Sequence, residues 1–238
     1  MLSPRRTARL AGLLYLVSSL PAPFALIYVP QKLFVEGNPA ATAERLRTLA
    51  GLARAGIAAS LASGILFIFV PLVLYRLFKP TSRQAALAML ILITISFPIS
   101  LHAVVHQVAA LNLAGGAGGT SLAGLTALDQ AQRDALAYLA LRMHHNELMV
   151  AEIFWGLWLF PFGICVIRSG FIPRVLGVLL MVAGCGYVAD SFAELAAPQF
   201  VAATTRITAI TNFCELPIIL WLLIWGARPG RRTAPASS

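Results

Sequence analysis

Runs of apolar residues long enough to cross a lipid bilayer recur along this chain, at Leu10–Val29, Gly56–Leu77, Ala85–Leu111, Leu148–Ile167, Pro173–Leu195 and Thr204–Trp225. A helix needs about 20 predominantly apolar residues to span the hydrocarbon core. Inside a bilayer every backbone N–H and C=O must also be satisfied within the segment itself. Each run therefore predicts a membrane-spanning helix. The fold class that follows is all-α, a polytopic membrane helical bundle of about six transmembrane helices plus one short interfacial helix. Of the 238 residues, 59% are hydrophobic and 11% charged, against roughly a quarter charged in soluble domains. Connections are short, so residues 1–228 are expected to form a single six-helix membrane domain, with 229–238 a disordered cytoplasmic tail.

The first run follows Arg5, Arg6 and Arg9 and so also has the outline of a signal peptide. It continues past Pro21 and Pro23 without a small-x-small cleavage site, and a retained helix is expected. Asn38-Pro39 combines an N-cap with proline at the first helical position. The helix it opens carries Glu44, Arg45 and Arg47 on one side and Leu46, Leu49 and Leu52 on the other, which suits the membrane surface. Pro71 and Pro98 should kink the second and third spans. The stretch Ala114–Gly124 is glycine-rich but lacks the GK[ST] ending of a phosphate-cradling loop, and a flexible connection is expected. The fourth helix begins near Asp129 with a wet first part that should project from the membrane.

The net charge is +9, but the basic residues flank the apolar runs, which points to lipid headgroups rather than nucleic acid. Arg76, Lys79, Arg83, Arg168, Arg174 and Arg228 fall on the side that carries the N-terminus. The positive-inside rule then predicts a multi-pass protein of the inner cell membrane with both termini cytoplasmic. Trp221 and Trp225 fall where the inner aromatic belt is expected. Cys165, Cys185 and Cys214 lie inside apolar runs without metal-ligand spacing and are expected to pack as small residues.

The pattern from Leu141 onward is distinctive: FWGLWLFPFG at Phe154–Gly163, RSGFIPRVLGVLL at Arg168–Leu180, and Glu215-Leu216-Pro217 ahead of Leu220-Trp221-Leu222-Leu223. It resembles the bacterial domain-of-unknown-function family numbered 4386, strongly over the second half and in general character over the first. Where that family reads LH and an aromatic at the start of the fourth helix, this chain reads Met143-His144-His145-Asn146. The resemblance implies a polytopic helical membrane protein and brings no established activity.

Ionisable side chains within membrane spans are costly and mark candidate functional sites. His102 and His106 are four apart and share a face, with Gln107 beside them. Arg142, His145, Glu152 and Gly156 form one stripe on the fourth helix, and Tyr187, Asp190 and Glu194 another on the fifth. On the sixth, Glu215 lies near the midplane, follows Asn212, and precedes Pro217, whose missing N–H frees the Phe213 carbonyl. All these positions fall in the half of the membrane away from the termini, so a polar, outward-facing cavity is expected. Its ion- or ligand-binding candidates are Glu215, Glu152, Asn212, Asp190 and Arg142. His102, His106 and His145 are the candidate metal ligands, with a divalent metal as the cofactor and a haem held by His102 and a fourth-helix histidine as a variant. Alternatively, Arg142 and Glu152 pair with Asp190, Glu194 or Arg206 only to fix helix packing.

Three functions are compatible with this pattern. The first is an integral membrane protein whose cavity binds an ion or a small amphiphilic molecule. The second is an intramembrane metal-dependent hydrolase acting on a lipid, and the third a non-catalytic scaffold or regulator. The binding role ranks ahead of an enzyme. The lipid bilayer is the one partner the sequence identifies, with no nucleic acid.

Overall fold

Helix starts are set by side chains that take up the orphan N–H groups of a first turn. Ser3 caps α1 (Pro4–Leu33), and Asn38 accepts the Ala41 N–H at 2.9 Å where Pro39 opens α2 (Pro39–Thr48). Then come α3 (Ala50–Phe78), α4 (Arg83–Leu113), α5 (Gln130–Ser169), α6 (Arg174–Ala196) and α7 (Pro198–Ile224). Asp129 and Gln132 cap each other's backbone N–H at the start of α5, at 2.8 and 2.9 Å. This computed structural model describes residues 3–115 and 128–227, and these contain no strand. The expected loop at Ala114–Gly124 lies mostly outside the described residues, as does the expected tail over 229–238. Six of the helices are long and apolar enough to cross a membrane, making this a multi-pass helical membrane protein.

Each spanning helix packs on its neighbour in sequence, and α7 returns to α1, closing a ring of six. Glycines close the seam between α5 and α6. There Gly156 meets Gly184 and Gly163 meets Gly177, in antiparallel register. A Cβ on Gly163 would stand 2.5 Å from the Gly177 carbonyl oxygen, and one on Gly184 2.7 Å from that of Gly156. Only glycine lets backbones meet this closely in a membrane, where van der Waals contact replaces the hydrophobic effect as the source of helix association. Gly186 likewise seats α7: a Cβ there would collide with the Thr211 hydroxyl, while Thr208 Oγ1 donates to the Gly186 carbonyl at 3.0 Å.

Prolines interrupt four of the six spans. After Pro21 and Pro23, α1 makes a π turn over Phe24–Tyr28, while α3 breaks at Ile68 ahead of Pro71 and α5 at Trp158 ahead of Pro161. α7 tightens into a 3₁₀ turn over Asn212–Glu215 ahead of Pro217. In contrast, α4 stays helical through Pro98.

The helix α2 sits at the end of the ring away from the termini and does more than lie on lipid. Its fully buried Ala43 and Leu46 pack on the projecting first part of α5, and Arg47 donates to Asp134 at 2.9 Å. That bond holds the Arg47 guanidinium above its ordinary pKa, with a smaller contribution from Glu44 at 3.0 Å. Asp134 is thereby paired although its side chain is only 8% exposed.

Candidate functional site

Near the middle of the ring the helices do not meet. A cavity of about 240 Å³ is left there, and all six spans contribute to it: Tyr15 from α1, Ser63 from α3, Phe97 from α4, Trp158 from α5, Tyr187 from α6 and Glu215 from α7. Its floor, toward the termini, is aromatic. Tyr15, Phe67 and Trp158 contact one another with ring centroids 5.4 to 6.0 Å apart, and Phe97 stands against Phe67 at 6.3 Å. Trp158 is 2% exposed. Leu26, Trp158 and Glu215, which lie in helix interruptions, and Phe67, which precedes one, all border this space, as expected if backbone irregularity is tolerated at membrane depth only where it lines a cavity.

Glu215 brings a carboxyl group to the cavity. Tyr15 donates a short hydrogen bond to its Oε2, and the Tyr187 hydroxyl faces the same carboxyl group. Measured along the helices at about 1.5 Å per residue, Tyr15 and Glu215 stand about 13–17 Å from the ends nearest the termini, close to the middle of a hydrocarbon core about 30 Å thick. Ser63 Oγ donates to the Ser18 carbonyl at 2.6 Å. The hydroxyls of Ser60 and Ser100 also border the cavity, are buried, and find no partner among the described residues.

A second space, of about 480 Å³, lies nearer α2, bordered by Glu36, Arg142, His145 and Glu194. The two spaces share Leu26, His144 and Leu148 as lining residues and adjoin there. His144 is buried and held on both sides: Nδ1 donates to the Ala103 carbonyl at 2.8 Å, and Nε2 faces Gln107 Nε2 at 2.9 Å. These contacts select the neutral tautomer whose Nε2 accepts from the Gln107 amide.

Several candidates fall elsewhere than expected. Asn212 is exposed and borders neither space; tyrosines take the place beside Glu215. Asp190 accepts from Thr205 Oγ1 at 3.1 Å and fastens α6 to α7. Glu152, 8% exposed, lies at the α5–α6 seam outside both spaces, and its charged neighbours there are the acids Asp190 and Glu194. Among the described residues neither Arg142 nor Glu152 forms an ion pair, so the expected packing pairs with Asp190, Glu194 or Arg206 do not form. Arg142 is exposed at the rim of the larger space.

His102 and His106 do come together, with ring centroids 5.3 Å apart, but His145 does not join them. It turns to Glu194 at 3.8 Å. The third member is Glu147: Oε1 lies 3.0 Å from both His102 Nδ1 and His106 Nε2. The reason is helical geometry. Successive residues point about 100° apart, so the stripe through His145 and Gly156 faces α6, while His144 and Glu147, three apart, face α4. These donor atoms of His102, His106 and Glu147 lie within 4.8 Å of one another and are the described residues best placed to hold a metal.

Comparison with known proteins agrees with the helical architecture. The family model described as Domain of unknown function (DUF4386) matches residues 10–226, and the chain belongs to that family. The match takes in the first half as well as the second, where the motifs lie. An uncharacterized protein of Archaeoglobus fulgidus is 32% identical over 84 residues, 35% of this chain and 49% of that protein. This chain thus spans about half the length of that relative. No solved structure matches.

Proposed function

We propose that this member of the DUF4386 family is a membrane-embedded binding protein for a small amphiphile bearing a cationic or hydrogen-bond-donating head. The observation that carries the reading is Glu215, a carboxylate near the midplane that borders an interior cavity and is held there by Tyr15 with Tyr187 alongside. An ionisable group at that depth is expensive unless it faces a cavity or a partner. The rest of the lining is mainly apolar, including Leu26, Phe67, Ile93, Phe97 and Leu101, and suits an alkyl or aromatic body. One carboxylate with hydroxyl groups is too few hard ligands to strip a bare Ca²⁺ or Mg²⁺ of its water. At about 240 Å³ the cavity lies below the roughly 300–1,000 Å³ of drug-sized sites, so the ligand is small.

Entry is from the α2 end. The larger space there adjoins the cavity at Leu26, His144 and Leu148, whereas the opposite end is closed by the aromatic floor. The concentration of Arg76, Lys79, Arg83, Arg168 and Arg174 at that closed end makes it the cytoplasmic one in the inner cell membrane, so the cavity opens outward.

The test is binding of short-chain alkylamines, with matched alcohols and carboxylates as comparisons, by calorimetry on protein in lipid nanodiscs. Amines bind best, and Glu215→Gln weakens them about 10- to 100-fold, the value of a charge-assisted hydrogen bond of roughly 1.5–3 kcal/mol. Equal binding of amine by the parent and by Glu215→Gln would refute the proposal.

A further inference from the structure

We propose that His102, His106 and Glu147 form a binding site for one first-row divalent transition metal ion, of the Zn²⁺ or Fe²⁺ class, at the headgroup level of the membrane. The site is separate from the cavity, since none of the three residues borders either interior space. It therefore stands or falls independently of the amphiphile-binding reading.

Five observations converge on it. The donor set is two imidazoles and one carboxylate, the combination used by zinc hydrolases and non-haem iron sites that keep open coordination positions. Its geometry comes from two helices: the four-residue spacing on α4 puts both rings on one face, and α5 presents Glu147 against that face. The separations of 3.0 Å between each ring nitrogen and Oε1 are close to an edge of a coordination polyhedron with bonds of about 2.0–2.2 Å. Among the described residues no Lys or Arg pairs with Glu147, whose carboxyl oxygens contact the two imidazoles.

Depth supplies the fifth. Along α4, His102 stands about 28 Å from Arg83, and along α5 Glu147 stands about 32 Å from Arg168, at about 1.5 Å per residue. With those arginines at one boundary of a core about 30 Å thick, both helices bring the cluster to the opposite boundary. The His102 side chain is 63% exposed, so the open positions face the headgroup layer, where oxygen ligands from water or lipid phosphate are at hand. Both ring nitrogens of His144 next door are already engaged, Nδ1 by the Ala103 carbonyl and Nε2 by the Gln107 amide, so His144 is not needed as a ligand.

The experiment titrates Co²⁺ and then Zn²⁺ into metal-stripped full-length protein in nanodiscs, reading the visible ligand-field absorption of bound Co²⁺ and the metal-to-protein ratio after gel filtration. One ion per chain is expected, with Zn²⁺ displacing Co²⁺ and bleaching the bands. Glu147→Gln and His102→Ala should each weaken binding by about 100-fold or more, beyond the 10- to 100-fold typical of outer-shell changes. His102 is exposed, so His102→Ala folds and its retained melting temperature separates lost ligation from lost structure. His145→Ala serves as the control and should bind as the parent does. Absence of Co²⁺ bands in the folded parent, or full binding by His102→Ala and Glu147→Gln, would overturn the site.

Discussion

The two ends of the bundle each hold a buried apolar cluster, yet the clusters are built from different side chains. Toward the termini the buried residues are large: Phe78, Leu74, Met89, Ile93, Phe162 and Trp158 interlock across α3, α4 and α5. Toward α2 the buried cluster is mostly alanine, with Ala43, Ala50, Ala53, Ala110, Ala137 and Ala140. Large side chains fill the ring solid, whereas small ones bring backbones together at the seams and leave room where the helices diverge. The cavity lies just above the level where the large residues stop. The size of the apolar residues thus decides where space remains, and the polar residues decide what that space can hold.

Replacing Trp158, the largest side chain of the solid end, should therefore have the largest effect. Trp158→Ala is expected to lower stability by about 3–5 kcal/mol, the usual cost of truncating a buried aromatic, measured by reversible unfolding in mixed micelles. A loss below about 1 kcal/mol would mean that the floor is not packed. Asp134→Asn comes next. It removes the charge that holds Arg47 and with it the docking of α2 on α5, and should cost about 1–3 kcal/mol. Faster hydrogen exchange over Pro39–Thr48, with the six spans unchanged, is the accompanying signature. Ser60→Ala should have the smallest effect, within about 0.5 kcal/mol of the parent or slightly stabilising, because the hydroxyl it deletes has no partner among the described residues. A large loss would show that this hydroxyl supports the fold and does not simply line the cavity.

The spans were legible because each apolar run is long enough to stand alone as evidence, and helix starts because Asn38-Pro39 and Asp129 are local signals. The close approach of Gly177 to Gly163 and of Gly184 to Gly156 emerges only when α5 and α6 are paired. The site was harder to read. Glu215 stood out through its depth and through Pro217, but Tyr15, its hydrogen-bond partner, lies 200 residues away in another span. A tyrosine inside the first apolar run was the one available signal. Choosing Glu147 over His145 required knowing which face of α5 meets α4, and sequence periodicity defines faces without saying what each one meets.

The central claim is that the cavity is open from the α2 end and closed at the aromatic floor. Ser100, which borders it on α4, offers a direct probe. In a protein with Cys165, Cys185 and Cys214 replaced by serine, Ser100→Cys would be exposed to a membrane-impermeant thiol reagent from one side of sealed vesicles and then from the other. Labelling from the α2 side alone, slowed by an alkylamine, is the expected result. Labelling from the side of the termini, or none from either side in a folded protein, would contradict it.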